Sequence, residues 1–212
     1  TGTGKSRLAL RAARDLLPDF DHGVFLVDLG SAGEEAGALV AIATALGCDL
    51  SGDPSAAALG DAIGDQSLLV ILDNVKHGGL TTAVLSTLMD ACPNLRVIVT
   101  GPEPISLEGV TTLEVPPRAL PDPASAGFDD IRASEAVQLF VDRARSVRED
   151  FRLDDANANA ILQVCAQLGG LPLTIERAAS RMRSMSATRL LAKLPSIKVK
   201  DESGQTVYLI PR

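Results

Sequence analysis

The chain has 212 residues, 46% of them apolar and 22% charged, a balance that excludes wholesale disorder and allows one large domain or a core with a smaller satellite. A net charge of −7 opposes direct binding to nucleic acid, and five Phe, one Tyr and no Trp leave almost no platforms on which single-stranded bases could stack. Cys48, Cys92 and Cys165 are widely spaced with no CxxC pair, so they read as small buried residues in a reducing compartment rather than metal ligands. With no apolar run near the ~18 residues needed to span a bilayer and nothing like a signal peptide, a soluble, cytoplasmic protein without a membrane partner is expected.

From Lys5 to Leu17 the stripe Leu8, Ala9, Ala12, Ala13, Leu16 has helical spacing and stops at Pro18. GVFLVDL, at 23–29, is a short run of β-formers, and LVAIATALG, at 39–47, is a helix closed by Gly47. LLVILD, at 68–73, is apolar until its last residue, as a strand buried on both faces should be. TTAVLSTLMDAC predicts a helix, LRVIVT a third buried strand, and TTLEV, at 111–115, a fourth. Strands alternating with helices predict an α/β fold with a parallel, doubly wound sheet. VPPRALPDPASAGFDD, at 115–130, lacks periodicity and reads as a linker. Beyond it a helix N-capped by Ser134 carries Ala136, Val137, Phe140, Val141 and Ala144, and a second carries Ile161, Leu162, Cys165 and Leu168. Gly169-Gly170 ends that helix, and Pro172 suits the first turn of a third. RAASRMR, Arg177 to Arg183, reads as one helix face, and IKVKDESGQTVYLI as a hairpin turning near Ser203-Gly204.

TGTGKS, at the start, has the chemistry of the closing part of a phosphate-binding loop. Glycines let backbone N–H groups and a helix N-terminus wrap a β-phosphate, Lys5 reaches the β- and γ-phosphates, and Ser6 holds Mg²⁺. In the full pattern G-x-x-x-x-G-K-[ST], Gly4 is the second glycine, and the first, with its preceding strand, would lie before Thr1. A second element stands at a suitable distance: LLVILDN ends a buried strand in Asp73, from which a carboxylate can hold the Mg²⁺ water shell opposite Ser6.

With these pieces in order, the chain resembles the nucleotide-binding module of the STAND class of P-loop ATPases, the NB-ARC type, as found in bacterial LuxR-like and antibiotic-regulatory-type transcriptional regulators. Four motifs carry the resemblance: TGTGKSRLAL as the P-loop, LLVILDNVKH as the Walker B segment, RVIVTGPEPI as the sensor strand and GGLPLTIERAA as the GxP motif of a helical lid. It covers nearly all of 1–194. It implies a P-loop NTPase core at 1–118 lacking its first strand, a linker at 119–132, a small all-α lid at 133–194, and a hairpin-like tail or the start of a further domain at 195–212. It further implies an ATP/ADP site with Mg²⁺, in which Thr1, Gly2, Thr3, Gly4, Lys5, Ser6, Arg7, Thr100, Leu171 and Pro172 bind nucleotide, Pro172 close to the adenine. Ser6 and Asp73 would hold the metal, and Lys5 and Asp73 would carry any catalysis.

The departures from the family pattern bear on hydrolysis. The position after Asp73, where many P-loop enzymes place an acid to orient water, is Asn74, and Lys76 stands where relatives often carry Glu. No acidic side chain occurs between Asp73 and Asp90, so a general base is missing from this stretch and turnover should be slow or absent. Relatives usually read T-S-R-E-P on the sensor strand, with an Arg able to approach the γ-phosphate; here Pro102 occupies that position, and Arg177 or Arg181 are the candidates to replace it. His77 matches a His common in relatives and reads as a packing or capping residue. The expectation is an ATP/ADP-dependent switch within a larger regulator, partnered by effector and sensor domains and able to form homo-oligomers. The alternatives are an ATPase with sustained turnover and a nucleotide-free scaffold that keeps the fold.

Overall fold

The computed structural model describes residues 2–50, 52–76 and 80–194, with backbone alone at 198–200 and 206–208. The chain divides into two compact units, Lys5–Glu114 and Thr1–Gly4 with Val115–Arg212.

In the first unit, helix α1 (Lys5–Leu16) runs into a 3₁₀ turn (Leu17–Asp19) around Pro18, then strand β1 (Val24–Asp28). Helices α2 (Glu35–Leu46) and α3 (Ala56–Ile63) precede β2 (Leu68–Asp73), and α4 (Thr82–Ala91) precedes β3 (Leu95–Val99). The three strands are parallel in the order β1-β2-β3, with Asp28 in register with Asp73. This is the mixed α/β organisation that alternating strands and helices predict.

The central strand explains how the sheet is covered. Side chains alternate across a strand, and all of Leu68–Leu72 is buried. Leu68, Val70 and Leu72 join a cluster with Ala38, Leu39, Ile42, Leu59, Ile63, Val84 and Leu88 from α2, α3 and α4. Leu69 and Ile71 pack with Ala9 and Ala13 of α1. Each buried Leu or Ile of this strand stabilises the fold by about 1.5–3 kcal/mol, so the continuous apolar run is what a strand clothed on both faces requires.

One expectation for this unit fails, and one helix lies outside the sequence expectations. TTLEV is no strand: 111–115 has no regular structure, and Leu113 is 73% exposed. Pro116 and Pro117 lack the N–H groups a ladder needs, and a strand without a partner is not stable. Helix α3, unpredicted in the sequence, is eight residues long with Ser55 as N-cap, its hydroxyl accepting from the Ala58 N–H at 3.2 Å.

The second unit is helical: α5 (Phe128–Ala133), α6 (Glu135–Val147), α7 (Ala158–Gln167), α8 (Pro172–Ala179), a 3₁₀ turn (Ser180–Arg183) and α9 (Ala187–Lys193). Its core gathers Val137, Phe140, Ile161, Leu162, Cys165, Ile175, Met182 and Leu190. The linker reading is therefore wrong at its end, because Phe128–Ala133 is helix, with Ile131 buried. Ser134 does precede α6, but its hydroxyl donates to the Ala119 carbonyl at 3.1 Å instead of capping the helix. The RAASRMR stretch is not one helix face, since α8 stops at Ala179 and a 3₁₀ turn follows.

The glycine stop is as expected. Gly169 and Gly170 both have positive φ. The Gly170 N–H bonds the Cys165 carbonyl and that of Gly169 bonds Ala166, which satisfies the last carbonyls of α7. Pro172 then fills the first turn of α8. Strands β4 (Lys198–Lys200) and β5 (Thr206–Tyr208) pair antiparallel, as a hairpin should, while the turn near Ser203-Gly204 lies outside the described residues.

Candidate functional site

Strands β1 and β2 end in Asp28 and Asp73 at the carboxyl edge of the first unit's sheet, and Thr100 directly follows β3 there. Helix α1 leads through Phe20 to the start of β1, where the Leu69 N–H donates to the Gly23 carbonyl. A 12-residue helix is about 18 Å long, the length of a five- or six-residue strand. The first turn of α1, with half-buried Lys5 and Ser6, therefore points toward the edge where Asp28, Asp73 and Thr100 end the strands. Ligands of open parallel sheets bind outside that edge.

There the strand ends are tied together by side chains. The buried Thr100 hydroxyl donates to Asp73 Oδ1 and accepts the Asn74 N–H at 3.1 Å. Asn74 adopts the left-handed conformation at φ 58°, and its side-chain Nδ2 donates to Asp28 Oδ1 at 3.3 Å. Asp28 Oδ1 also accepts from the Gly30 N–H at 2.9 Å, and Lys76 Nζ donates to the Gly30 carbonyl. Among the described residues Asp73 thus keeps one carboxylate oxygen beyond the Thr100 bond, while Asn74 bonds Asp28 and Lys76 bonds the Gly30 carbonyl.

The N-terminus of α1 has the features an anion requires. Its first turn carries no acidic residue, and the first N–H groups of a helix have no partner within it. Gly4 leads into it at φ 100°, a conformation other residues rarely adopt, and a Cβ there would meet nothing within 4 Å. Lys5, Ser6 and the adjoining N–H groups fit the phosphates of a nucleotide. For Mg²⁺ the protein donors would be the Ser6 hydroxyl and the Asp73 carboxylate. No group of three or more His, Cys, Asp or Glu suited to a metal occurs among the described residues; such a sparse set suits Mg²⁺, which usually keeps waters and phosphate oxygens as ligands.

The remaining predicted residues are placed as follows. Arg7 is exposed on α1. Gly2 clusters with the helical unit, where the Leu173 N–H donates to its carbonyl at 3.2 Å. Leu171 is the N-cap residue of α8, its carbonyl accepting from the Thr174 hydroxyl at 2.9 Å, and Pro172 is buried at the first helical position. The structure therefore brings Gly2 to the GGLPLT segment, and Asp73 to Thr100. Thr1 and His77 lie outside the described residues.

Three contributors escape the sequence reading. Asp28 carries a visible signal, since VFLVD ends in Asp just as LLVILD does. Asn74 acts by its backbone conformation, and Leu173 by its N–H, neither of which a motif displays. Cys92 and Cys165 are buried, as expected. Burial pushes the Cys165 thiol up to about 12, and burial, followed by the charges of Asp61 and Asp65, raises that of Cys92.

No protein-family model matches the chain. An uncharacterized protein of Mycobacterium tuberculosis is 34% identical over 197 residues, 91% of this chain and 47% of that protein. A second protein of the same organism, whose name assigns it provisionally to the HTH-type transcriptional regulators, is 36% identical over 187 residues, 87% of this chain and 20% of the relative. The regulatory protein AfsR of Streptomyces griseus is 29% identical over 206 residues, 91% of this chain and 19% of AfsR. The chain spans about half the length, or less, of the curated relatives it matches. It is thus similar to one segment of longer proteins, some of which carry regulator names. No helix among the described residues is long and apolar enough to cross a membrane.

Proposed function

We propose that this chain is an ADP/ATP-binding switch module of a transcriptional regulator, built on a P-loop type of doubly wound sheet with a helical lid and working in the cytoplasm. The observation that carries the proposal is the carboxyl edge of the sheet, where Asp73 is held by Thr100; a start of α1 that carries Lys5 and Ser6 with no acidic residue in its first turn supports it. Helices on both faces of β2 support the doubly wound reading, and the named relatives support the regulatory one. The effector domain would lie elsewhere in a longer protein, which suits the acidic charge of this segment.

The residues act by holding the phosphates rather than by breaking them. Lys5 and the first-turn N–H groups neutralise and orient the phosphates. Ser6 and Asp73 position a hydrated cation, which would supply charge neutralisation when bound. Asn74 and Lys76 cannot serve as bases, and Asp28, in register with Asp73, is engaged by Gly30 and Asn74. The module should therefore change state with the nucleotide it holds, and turn over slowly. Titration calorimetry with Mg-ADP and Mg-ATP tests the site: binding is expected for the wild type and at least about a tenfold loss for Lys5→Ala. Equal affinity in both proteins sinks the proposal. Steady-state hydrolysis above ~1 s⁻¹, the low end of ordinary enzyme rates, would replace the switch by an ATPase.

A further inference from the structure

Two shielded polar atoms in the second unit lack hydrogen-bond partners among the described residues: Thr3 Oγ1 and Arg177 Nη1. Shielded polar groups are nearly always satisfied, and a guanidinium nitrogen out of water is especially costly without a partner. The nearest carboxylate in sequence, Glu176, is paired with Arg143 at 3.3 Å, and Arg177 itself takes part in no ion pair among the described residues. Thr3 lies between two glycines of positive φ, and an apolar side chain would fill its position without the cost of a buried hydroxyl.

The backbone brings the two segments together. The Leu173 N–H donates to the Gly2 carbonyl, and a Cβ at Gly2 would lie 3.3 Å from Leu173 Cβ. Leu173 and Arg177 are four apart on α8, hence on one face of that helix, and Thr3 directly follows Gly2. Both groups suit an anion, since guanidinium N–H donates and a hydroxyl can donate, and the fork of Arg matches the oxygens of a phosphoryl group. We infer that Thr3 and Arg177 form an anion subsite of the helical unit that takes a phosphoryl group of an oligophosphate. The inference rests on the nucleotide reading for its ligand class, and it names a cationic group that the TGTGKS motif does not contain. It also gives Arg177 a different standing from Arg181, which is exposed.

The test is calorimetry on the 212-residue chain, with ADP and with inorganic pyrophosphate as separate probes. Arg177→Met, which keeps the aliphatic stem, is expected to weaken both probes by about tenfold or more, and Thr3→Val by about fivefold. Arg189→Met removes the same charge from an exposed position of α9 and should leave both within about twofold, as solvent-screened charges do. The thermal midpoints of Arg177→Met and Thr3→Val without ligand should hold or rise, because each removes an unsatisfied polar atom. Should Arg177→Met fail to fold, Arg177→Lys is read in its place, and a measurable loss for both probes is still expected because the fork is gone. ADP binding weakened by Lys5→Ala yet unchanged by the Arg177 variant overturns the subsite and leaves the nucleotide reading standing. If ADP does not bind but pyrophosphate does, and Arg177→Met abolishes it, the subsite stands while the nucleotide reading falls. If neither probe binds the wild type, both fall.

Discussion

At the residue scale, Asn74 holds the site together through a conformation that few side chains tolerate. Its φ of 58° costs most residues about 1–2 kcal/mol, and Asn is among the exceptions because its short amide can bond locally. Here the amide reaches Asp28, and its N–H reaches Thr100. Asn74→Ala should therefore lower the free energy of unfolding by about 1–3 kcal/mol. Asn74→Gly should cost less, since it loses only the Asp28 bond while easing the backbone. Urea denaturation of the three proteins decides this; equal losses for Ala and Gly would show that backbone strain plays no part. The buried thiols give a second test. A thiol held at about 12 in the fold and 9.0 in the unfolded chain favours the folded state fully below pH 9. That contribution is lost as pH rises from about 9 towards 12, because only the unfolded chain then releases the proton. The unfolding midpoint should fall over that window, and Cys165→Ala should flatten the fall while lowering the midpoint at neutral pH through lost packing. Native alkylation followed by mass spectrometry should label half-buried Cys48 before Cys92 and Cys165.

At the scale of elements, the link between α7 and α8 is the least tolerant point of the helical unit. The Gly170 carbonyl accepts the Arg118 N–H at 2.8 Å, and a Cβ on Gly170 would stand 2.4 Å from the Arg118 carbonyl oxygen, at a φ of 67°. A backbone atom cannot swing aside as a side chain can. Gly170→Ala should thus destabilise the fold by at least about 2 kcal/mol, whereas Gly109→Ala, with positive φ and nothing within 4 Å, should cost about 1–2 kcal/mol. A thermal midpoint no lower for the first than for the second would contradict the close approach. The same elements show what the sequence makes legible. LLVILD, the stop at Gly169-Gly170 and the start at Pro172 are readable because each rests on a local cause: two-sided burial, left-handed backbone, a missing N–H. Helix α3 escapes because AAALGDAI is too short and too small for its stripe to stand out. TTLEV misleads because β-propensity describes a side chain's fit to a half-buried sheet, and no strand among the described residues pairs with it. At the site, Lys5, Ser6 and Asp73 are legible by spacing. Asp28 ends its strand as Asp73 does, but its place beside Asp73 is set by register, a non-local fact, and the part Asn74 plays is set by its left-handed backbone.

At the scale of the molecule, the decisive feature is that each unit closes its own core. The cluster around β2 draws on 27–95, and the cluster around Phe140 on 131–194. Residues 101–114 belong to the first unit but have no regular structure, and Glu108 and Glu114 in that stretch are exposed. Segments with few buried contacts open locally at low cost, whereas cores open only with the global free energy. A glutamate-specific protease should accordingly cut the native chain first after Glu108 or Glu114, well before Glu176, whose side chain is only 11% exposed. The fragment beginning at Val115 should persist, keep its helical circular dichroism and unfold cooperatively, as a unit with its own core can. Time-resolved mass spectrometry with dichroism of the purified fragment reads both outcomes. Degradation to small peptides with no intermediate of that size, or a fragment without a cooperative transition, would show that Val115–Arg212 depends on the rest of the chain for its fold.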